Sequence, residues 1–214
     1  MKINEIFYSI SGESIQSGFP AIFIRTYGCP LRCSYCDTSY SYEGSDYTEM
    51  SVMEIVKEVE QYTCRRIILT GGEPLIQPDV HDLILQLLIN GYTIEIETSG
   101  CVDITPYRNL YDVIVTMDWK GPSSKMHDKM VYENLHKLRD CDVLKFVVGS
   151  IEDLEEMKTI LHLAKPSCHI FVSPVLGSIQ LQDIVNYILE NNIQNVRFQL
   201  QIHKYIWDPS ERGV

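Results

Sequence analysis

The feature that most constrains this chain is a repeated alternation of short β-branched runs with stretches of helical period. Residues 21–26 (AIFIRT), 65–70 (RRIILT), 92–97 (YTIEIE), 111–117 (YDVIVTM), 143–148 (VLKFVV), 168–173 (CHIFVS) and 195–201 (NVRFQLQ) have the composition and length of strands. Between them, Ser51 with Glu54 resembles a capping box opening a helix that runs through Tyr62. Asp79 opens a second helix, with Leu83, Leu87 and Leu88 on one face and Gly91 as its C-cap. Ser150 with Asp153 starts a third, through Leu154, Met157, Leu161 and Leu163, and a fourth covers Leu181 to Glu190. Repeated β-α-β units imply parallel strands joined by right-handed crossovers. The expected class is therefore α/β. About six to seven mostly parallel strands suit an incomplete (β/α) barrel and are too few for a closed eightfold one. An open doubly wound sheet fits the same periodicity.

The unusual residues all fall just after strands. The cysteine cluster follows the first, Gly71-Gly72-Glu73-Pro74 the second and Thr98-Ser99-Gly100 the third. Asp118 and Lys120 follow the fourth, Gly149-Ser150 the fifth, Ser173-Pro174 the sixth, and Gln201, His203 and Lys204 the seventh. Barrels and open sheets both assemble their sites beyond the carboxyl ends of strands. The chemistry is thus expected on one face.

The chain has 214 residues, no low-complexity stretch and no linker, which predicts one unit over residues 1–214. Its formal net charge is −11, with no Lys/Arg-rich run, so a nucleic acid is not an expected partner. No apolar stretch approaches the roughly 20 residues that span a bilayer. Asn4 and Glu5 interrupt any apolar signal core, which places the chain in the cytoplasm and away from membranes.

Seven cysteines in a reducing compartment are better read as ligands than as disulfides. Cys29-Pro-Leu-Arg-Cys33-Ser-Tyr-Cys36 is C-x3-C-x2-C, with no fourth Cys or His nearby in sequence. Thiolates suit zinc or iron–sulfur clusters. A structural zinc wants four protein ligands, which here would require a remote Cys64, Cys101, Cys141 or Cys168. Three ligands on a four-iron cluster leave one iron open to a small molecule.

The spacing resembles that of radical S-adenosylmethionine (SAM) enzymes, and Gly71-Gly72-Glu73-Pro74 resembles their glycine-rich GGEP segment. The N-terminal third narrows the resemblance. Asn4 to Ser14, Gly18-Phe19-Pro20, Phe23-Ile24-Arg25 and Cys36-Asp37-Thr38 are similar to the 7-carboxy-7-deazaguanine synthase family, as is the C-terminal Gln201-Ile202-His203-Lys204-Tyr205-Ile206-Trp207. The resemblance covers essentially the whole chain and is looser between residues 124 and 195.

That family converts 6-carboxy-5,6,7,8-tetrahydropterin to 7-carboxy-7-deazaguanine by radical ring contraction, losing ammonia, on the way to queuosine-type bases. The resemblance implies a 4Fe-4S cluster on Cys29, Cys33 and Cys36, SAM on its open iron, and Mg2+ at Thr38. It implies SAM contacts from Tyr35, Cys36, Asp37, Gly72, Ser99, Asp118, Trp119, Lys120 and Ser173. Either Asp118 or Glu97 would take the ribose hydroxyls. The pterin would meet Ile10, Ser11, Gly12, Glu13, Arg25 and Thr70 in the N-terminal segment, with His203 and Lys204 in a C-terminal tail near the site and the Val214 carboxylate as a further contact. Each has a plainer reading: Arg25 as a strand-end charge, Glu13 as a solvated loop acid, Thr38 as a turn residue.

This chain has Ser11-Gly12-Glu13-Ser14 where the family usually shows Gln-Gly-Glu-Gly. Ser11 lacks the reach of an amide, and Ser14 gives up glycine's backbone freedom. Two other functions remain in view. A glycyl-radical activase shares the cysteine spacing but acts on a protein and predicts no tight pterin cavity. A zinc-binding interaction module predicts no catalysis. The family resemblance further implies an electron donor such as flavodoxin or ferredoxin, and a homodimer. Tyr40, Tyr42 and Tyr47 would either serve that interface or cover the cluster loop.

Overall fold

The computed structural model describes residues 1–208 and 211–214. Its strands are β1 (Lys2–Ile10), β2 (Pro20–Thr26), β3 (Thr48–Glu49), β4 (Arg66–Gly71), β5 (Thr93–Thr98), β6 (Val113–Trp119), β7 (Val143–Val148), β8 (His169–Pro174) and β9 (Arg197–Phe198). They form one sheet of nine in the order β3-β1-β2-β4-β5-β6-β7-β8-β9. From β2 to β9 every neighbouring pair is parallel, in chain order without the reversal a doubly wound sheet needs. The two ends of the order do not pair. The fold is an incomplete (β/α) barrel.

β1 and β3 add an antiparallel edge absent from the sequence reading. β1 (KINEIFYSI) carries Lys, Asn, Glu and Ser, which are poor strand formers, and takes its shape from pairing with β2. At the other edge the expected strand over 195–201 shrinks to Arg197–Phe198. Beyond it, Gln199 and Gln201 turn their side chains to the loop after β1, at Ser14 and Glu13, and this draws the chain off the sheet.

Alternation decides what faces where. Ile22, Ile24, Ile67, Leu69, Ile94, Ile96, Val113, Val115, Met117, Trp119, Leu144, Phe146, Val148, Ile170 and Val172 join the helices in one apolar core. The alternate positions form the inner face: Arg25 beside Thr70, Glu97 beside Thr116, Asp118 beside Lys145, and Val147 beside Ser173. Fully burying an aliphatic side chain contributes about 1.5–3 kcal/mol. Burying an unpaired charge costs several. The outer face therefore supplies stability, and the inner charges occur in pairs.

The helices are α1 (Val52–Val59), α2 (Val80–Ile89), α3 (Ile151–Ala164), α4 (Leu181–Glu190) and α5 (His203–Ile206). The Ser51–Glu54 capping box is formed in both directions. α1 ends before Tyr62, which instead stacks on Tyr8 of β1 at 5.8 Å. Asp79 is the N-cap residue of α2, though its side chain makes no cap bond, and Gly91 follows the helix at φ +78°. Asp153 does more than cap α3: it accepts the Gly149, Ser150 and Ser123 amides and the Ser123 hydroxyl, binding the loop after β6 to the helix start.

Candidate active site

The loop after β2 carries the cysteines, and backbone contact with the next loop sets its path. Gly28 has φ +107°, a left-handed conformation that favours glycine. Its carbonyl accepts the Glu73 amide at 2.8 Å. A Cβ on Gly72 would lie 2.3 Å from that carbonyl oxygen and 2.7 Å from Cys29 Cβ, so only glycine lets the two loops touch. Glu73, fully buried, accepts the Thr98 and Ser99 hydroxyls and the Ser99 and Leu75 amides. It ties this turn to the end of β5.

Cys29, Cys33 and Cys36 are half-buried and open onto one cavity of about 900 Å³. Burial pushes the Cys29 thiol up to about 11 and raises Cys33 as well, so binding a metal there must displace protons. Among the described residues, no three His, Cys, Asp or Glu side chains converge on a point that a single ion would fill. A tetrahedral zinc needs such convergence. Three soft donors around a shared opening fit a cluster. Cys64, Cys101, Cys141 and Cys168 lie outside the cavity wall, with Cys141 exposed.

Next to the cysteines the wall consists of Tyr35, Asp37, Thr38, Gly72, Ser99, Asp118 and Lys120. Tyr35 donates to the Val147 carbonyl at 3.3 Å, and burial pushes its phenol up to about 12. Thr38 Oγ1 lies 3.8 Å from Cys36 Sγ. Asp37 pairs with Lys204 at 2.8 Å. Asp118 has a lysine on each oxygen, Lys145 at 2.9 Å and Lys120 at 3.0 Å. Burial opposes its charge, but the two ammoniums outweigh that and hold it below the usual carboxylate range.

The other end is assembled from distant parts of the chain and adjoins the first through the Asp37–Lys204 and Asp118–Lys145 pairs. Gly12 O accepts the Ile202 amide at 2.9 Å, and Gln199 bonds both the amide and the carbonyl of Ser14. These contacts join the loop after β1 to the C-terminal segment. Glu13 is thereby held, half-buried, against Lys145 Nζ at 2.6 Å and Gln201 Nε2 at 2.6 Å, and is no solvated acid. The other Gln201 amide atom, Oε1, is buried without a partner among the described residues. Arg25 is anchored through Nε to Glu5 at 2.7 Å. Burial, reinforced by Glu13, pushes Glu97 up to about 8. His203 is held below its usual value, chiefly by burial. Ile10, Gly12, Thr70, His203 and Lys204 also line this end, as does the tail from Glu211 to Val214. Arg212 pins that tail by pairing with Asp46 at 2.7 Å and lying 3.8 Å over Tyr40. Tyr40 and Tyr42 cover the cavity, whereas Tyr47 packs on Tyr27.

Three expected residues do not reach the cavity wall. Ser11 is buried, and its hydroxyl donates to the Glu13 carbonyl at 3.0 Å. Trp119 follows Asp118 on a strand, so alternation sends it outward, where Nε1 donates to Glu156 at 2.9 Å. Ser173 is on the inner face beside Val147 but fully buried, and its hydroxyl has no partner. Ser14 also stays out of the wall: at φ +66° it pairs its hydroxyl with Thr116 at 2.9 Å. Both serines that depart from the family pattern thus shape the loop. Gln201, expected on this face with His203 and Lys204, lines the wall, and so does Lys145, which the sequence reading does not single out. The signal for Lys145 was a lone cation in the apolar run VLKFVV.

A family model, the Radical SAM superfamily, matches residues 23–164. The 7-carboxy-7-deazaguanine synthase of Clostridium acetobutylicum is 39% identical, over 100% of this chain and 99% of that one. The chain belongs to this family. A second synthase, from Methanospirillum hungatei, is 41% identical over 98% of this chain and 86% of its own. The crystal structure of QueE from Escherichia coli superposes with a TM-score of 0.73 at 27% identity, covering 93% of this chain and 92% of that one. Streptococcus suis SuiB, 13% identical with a TM-score of 0.60, shares the fold alone. As a 7-carboxy-7-deazaguanine synthase family member and a radical SAM enzyme, the chain implies a 4Fe-4S cluster and SAM, which the three-thiol opening fits. The synthase relatives, matched over the whole chain, speak against an activase or a zinc module.

Proposed function

We propose that this chain converts 6-carboxy-5,6,7,8-tetrahydropterin to 7-carboxy-7-deazaguanine and ammonia, a rearrangement in which product and ammonia together account for every substrate atom. The observation that supports the reading is a polar set of Glu13, Gln201, Arg25 and Glu97 lining the same cavity as the three thiols. Cys29, Cys33 and Cys36 hold the cluster, with SAM beside Tyr35, Asp37, Gly72, Ser99, Asp118 and Lys120. When bound, the reduced cluster and SAM supply a carbon radical able to take a hydrogen atom from the pterin.

The remaining work falls to the chain's own groups. Glu13, ion-paired to Lys145, accepts from the ring's N–H edge, and the unpartnered Gln201 Oε1 accepts a further donor. Arg25 commits Nε to Glu5, which turns the end of its fork to the substrate carboxylate. Glu97, pushed up to about 8, carries its proton at neutral pH and is the acid available to the departing nitrogen. His203, neutral and next to Lys204, and the Val214 tail close the cavity over the ring.

The finer assignments extend this reading. A single hydroxyl, Thr38, suits Mg2+, which keeps most of its waters and would take the rest of its ligands from the substrate. Flavodoxin or ferredoxin would deliver the electron. A homodimer would cover the exposed Leu181, Val185 and Leu189 on α4. No helix among the described residues is long and apolar enough to cross a membrane, and we place the whole chain, as one catalytic unit, in the cytoplasm. The test is anaerobic turnover of reconstituted protein with SAM, Mg2+, reductant and the tetrahydropterin, read by mass. Formation of 7-carboxy-7-deazaguanine is expected. SAM cleavage without that product would put the substrate assignment in error.

A further inference from the structure

Lys145 occupies the middle of β7, its side chain only 3% exposed, where an ammonium is costly unless paired. It is paired twice, to Glu13 Oε1 at 2.6 Å and to Asp118 Oδ1 at 2.9 Å. Glu13 comes from the loop after β1 and Asp118 from the end of β6. Lys145 is the cation that spans them. The two sides are unequally supported: Asp118 keeps a second lysine, Lys120, at 3.0 Å, whereas the other partner of Glu13 is only the neutral amide of Gln201. Glu97 and Glu95 of β5 also face this group, as does His203 from α5. Removing Lys145 would leave the Glu13 side without its direct cation.

We propose that Lys145 is a positioning residue that fixes Glu13 relative to Asp118, so that the pterin is held within reach of the reacting end of SAM. The inference rests on the pterin reading given above. A loosened Glu13 would still permit SAM cleavage but would present the substrate off position, and a displacement of about 1 Å is enough to cost a hundredfold in rate. Lys145 would then govern coupling between the two half-reactions rather than either one alone.

The test uses Lys145→Met in cluster-loaded protein. Affinity for the non-reacting aromatic ring 6-carboxypterin, measured by calorimetry, should fall about tenfold, the equivalent of one charge-assisted contact. Affinity for SAM should stay within about twofold, because Lys120 remains on Asp118. The 5′-deoxyadenosine released per 7-carboxy-7-deazaguanine should rise about fivefold or more as near-attack geometry is lost. If Lys145→Met does not fold, Lys145→Arg keeps the charge but cannot place it at both contact points, and should raise the same ratio with an unchanged Tm. Wild-type ratio and pterin affinity in the folded variant would overturn the proposal while leaving the function intact. So would losses in SAM and pterin binding that simply track a fall in Tm. A wild-type protein that makes no deazaguanine would overturn both readings.

Discussion

The two ends of the cavity are built in opposite ways. At the cysteine end the three thiols lie within one loop, held by the turn Gly71 to Pro74 and by contacts of Ser34 with Ser123 and Ser124 in the loop after β6. At the other end, Glu13, Arg25, Glu97, Lys145 and Gln201 come from five strands or their flanking loops, and only the finished barrel brings them together. A contiguous loop tolerates change elsewhere in the chain. A long-range assembly depends on each partner and on strand register. The first end should therefore fail by losing its metal, the second by losing alignment.

The largest expected effect is at the cysteine end. Cys33→Ala removes one of three ligands and should abolish acid-labile sulfide, brown colour and turnover together. A variant that retained a full cluster would break the contrast. Gly72→Ala comes next, because its Cβ has no space against Gly28 and Cys29. Overpacking of this kind costs about 1–3 kcal/mol, and here the strain falls on the cluster loop. Lower iron content and a lower Tm are expected from metal analysis and thermal melts.

Glu13→Gln sharpens the comparison from the other side. It leaves Lys145 with one acid and should reduce kcat/KM for the pterin about a hundredfold, roughly 2.7 kcal/mol, with SAM affinity unchanged. Glu97 offers a pH test. Its folded value of about 8 lies above the unfolded 4.5, so the folded state binds the extra proton and stability falls as pH rises between them. Glu97→Gln removes that loss. Its Tm should match the wild type near pH 5 and exceed it near pH 9; equal melts at both would contradict the shift. Ser14→Gly is the smallest change. Relief of a positive φ gains about 1 kcal/mol, and the lost Thr116 bond costs about as much. Tm and turnover should stay close to wild type.

This contrast also explains what the sequence made legible. The strand rhythm and C-x3-C-x2-C with its following GGEP are local patterns, and the barrel and thiol opening follow from them. α4 is found where the period placed it, from Leu181 to Glu190. β1 escapes the sequence reading because it lies next to the sheet's edge, paired with β3 only at Lys2 and Ile3, and such a strand need not look apolar. Trp119 was misplaced because it adjoins Asp118 in sequence, while alternation puts the two on opposite faces. Lys145 was overlooked inside VLKFVV because its partners, Glu13 and Asp118, are distant in sequence. The sequence places Ser11 against the pterin and reads Ser14 as a loss of backbone freedom. Their hydroxyls turn out to be engaged by Glu13 O and Thr116.

The most direct test of the central claim, that a separately built recognition end presents the pterin to the cysteine end, is calorimetric titration of Cys33→Ala and Glu13→Gln with 6-carboxypterin. Cys33→Ala should bind the ring with nearly wild-type affinity although it cannot turn over, and Glu13→Gln should bind it at least about tenfold more weakly. Loss of binding in Cys33→Ala with retention in Glu13→Gln would contradict the account.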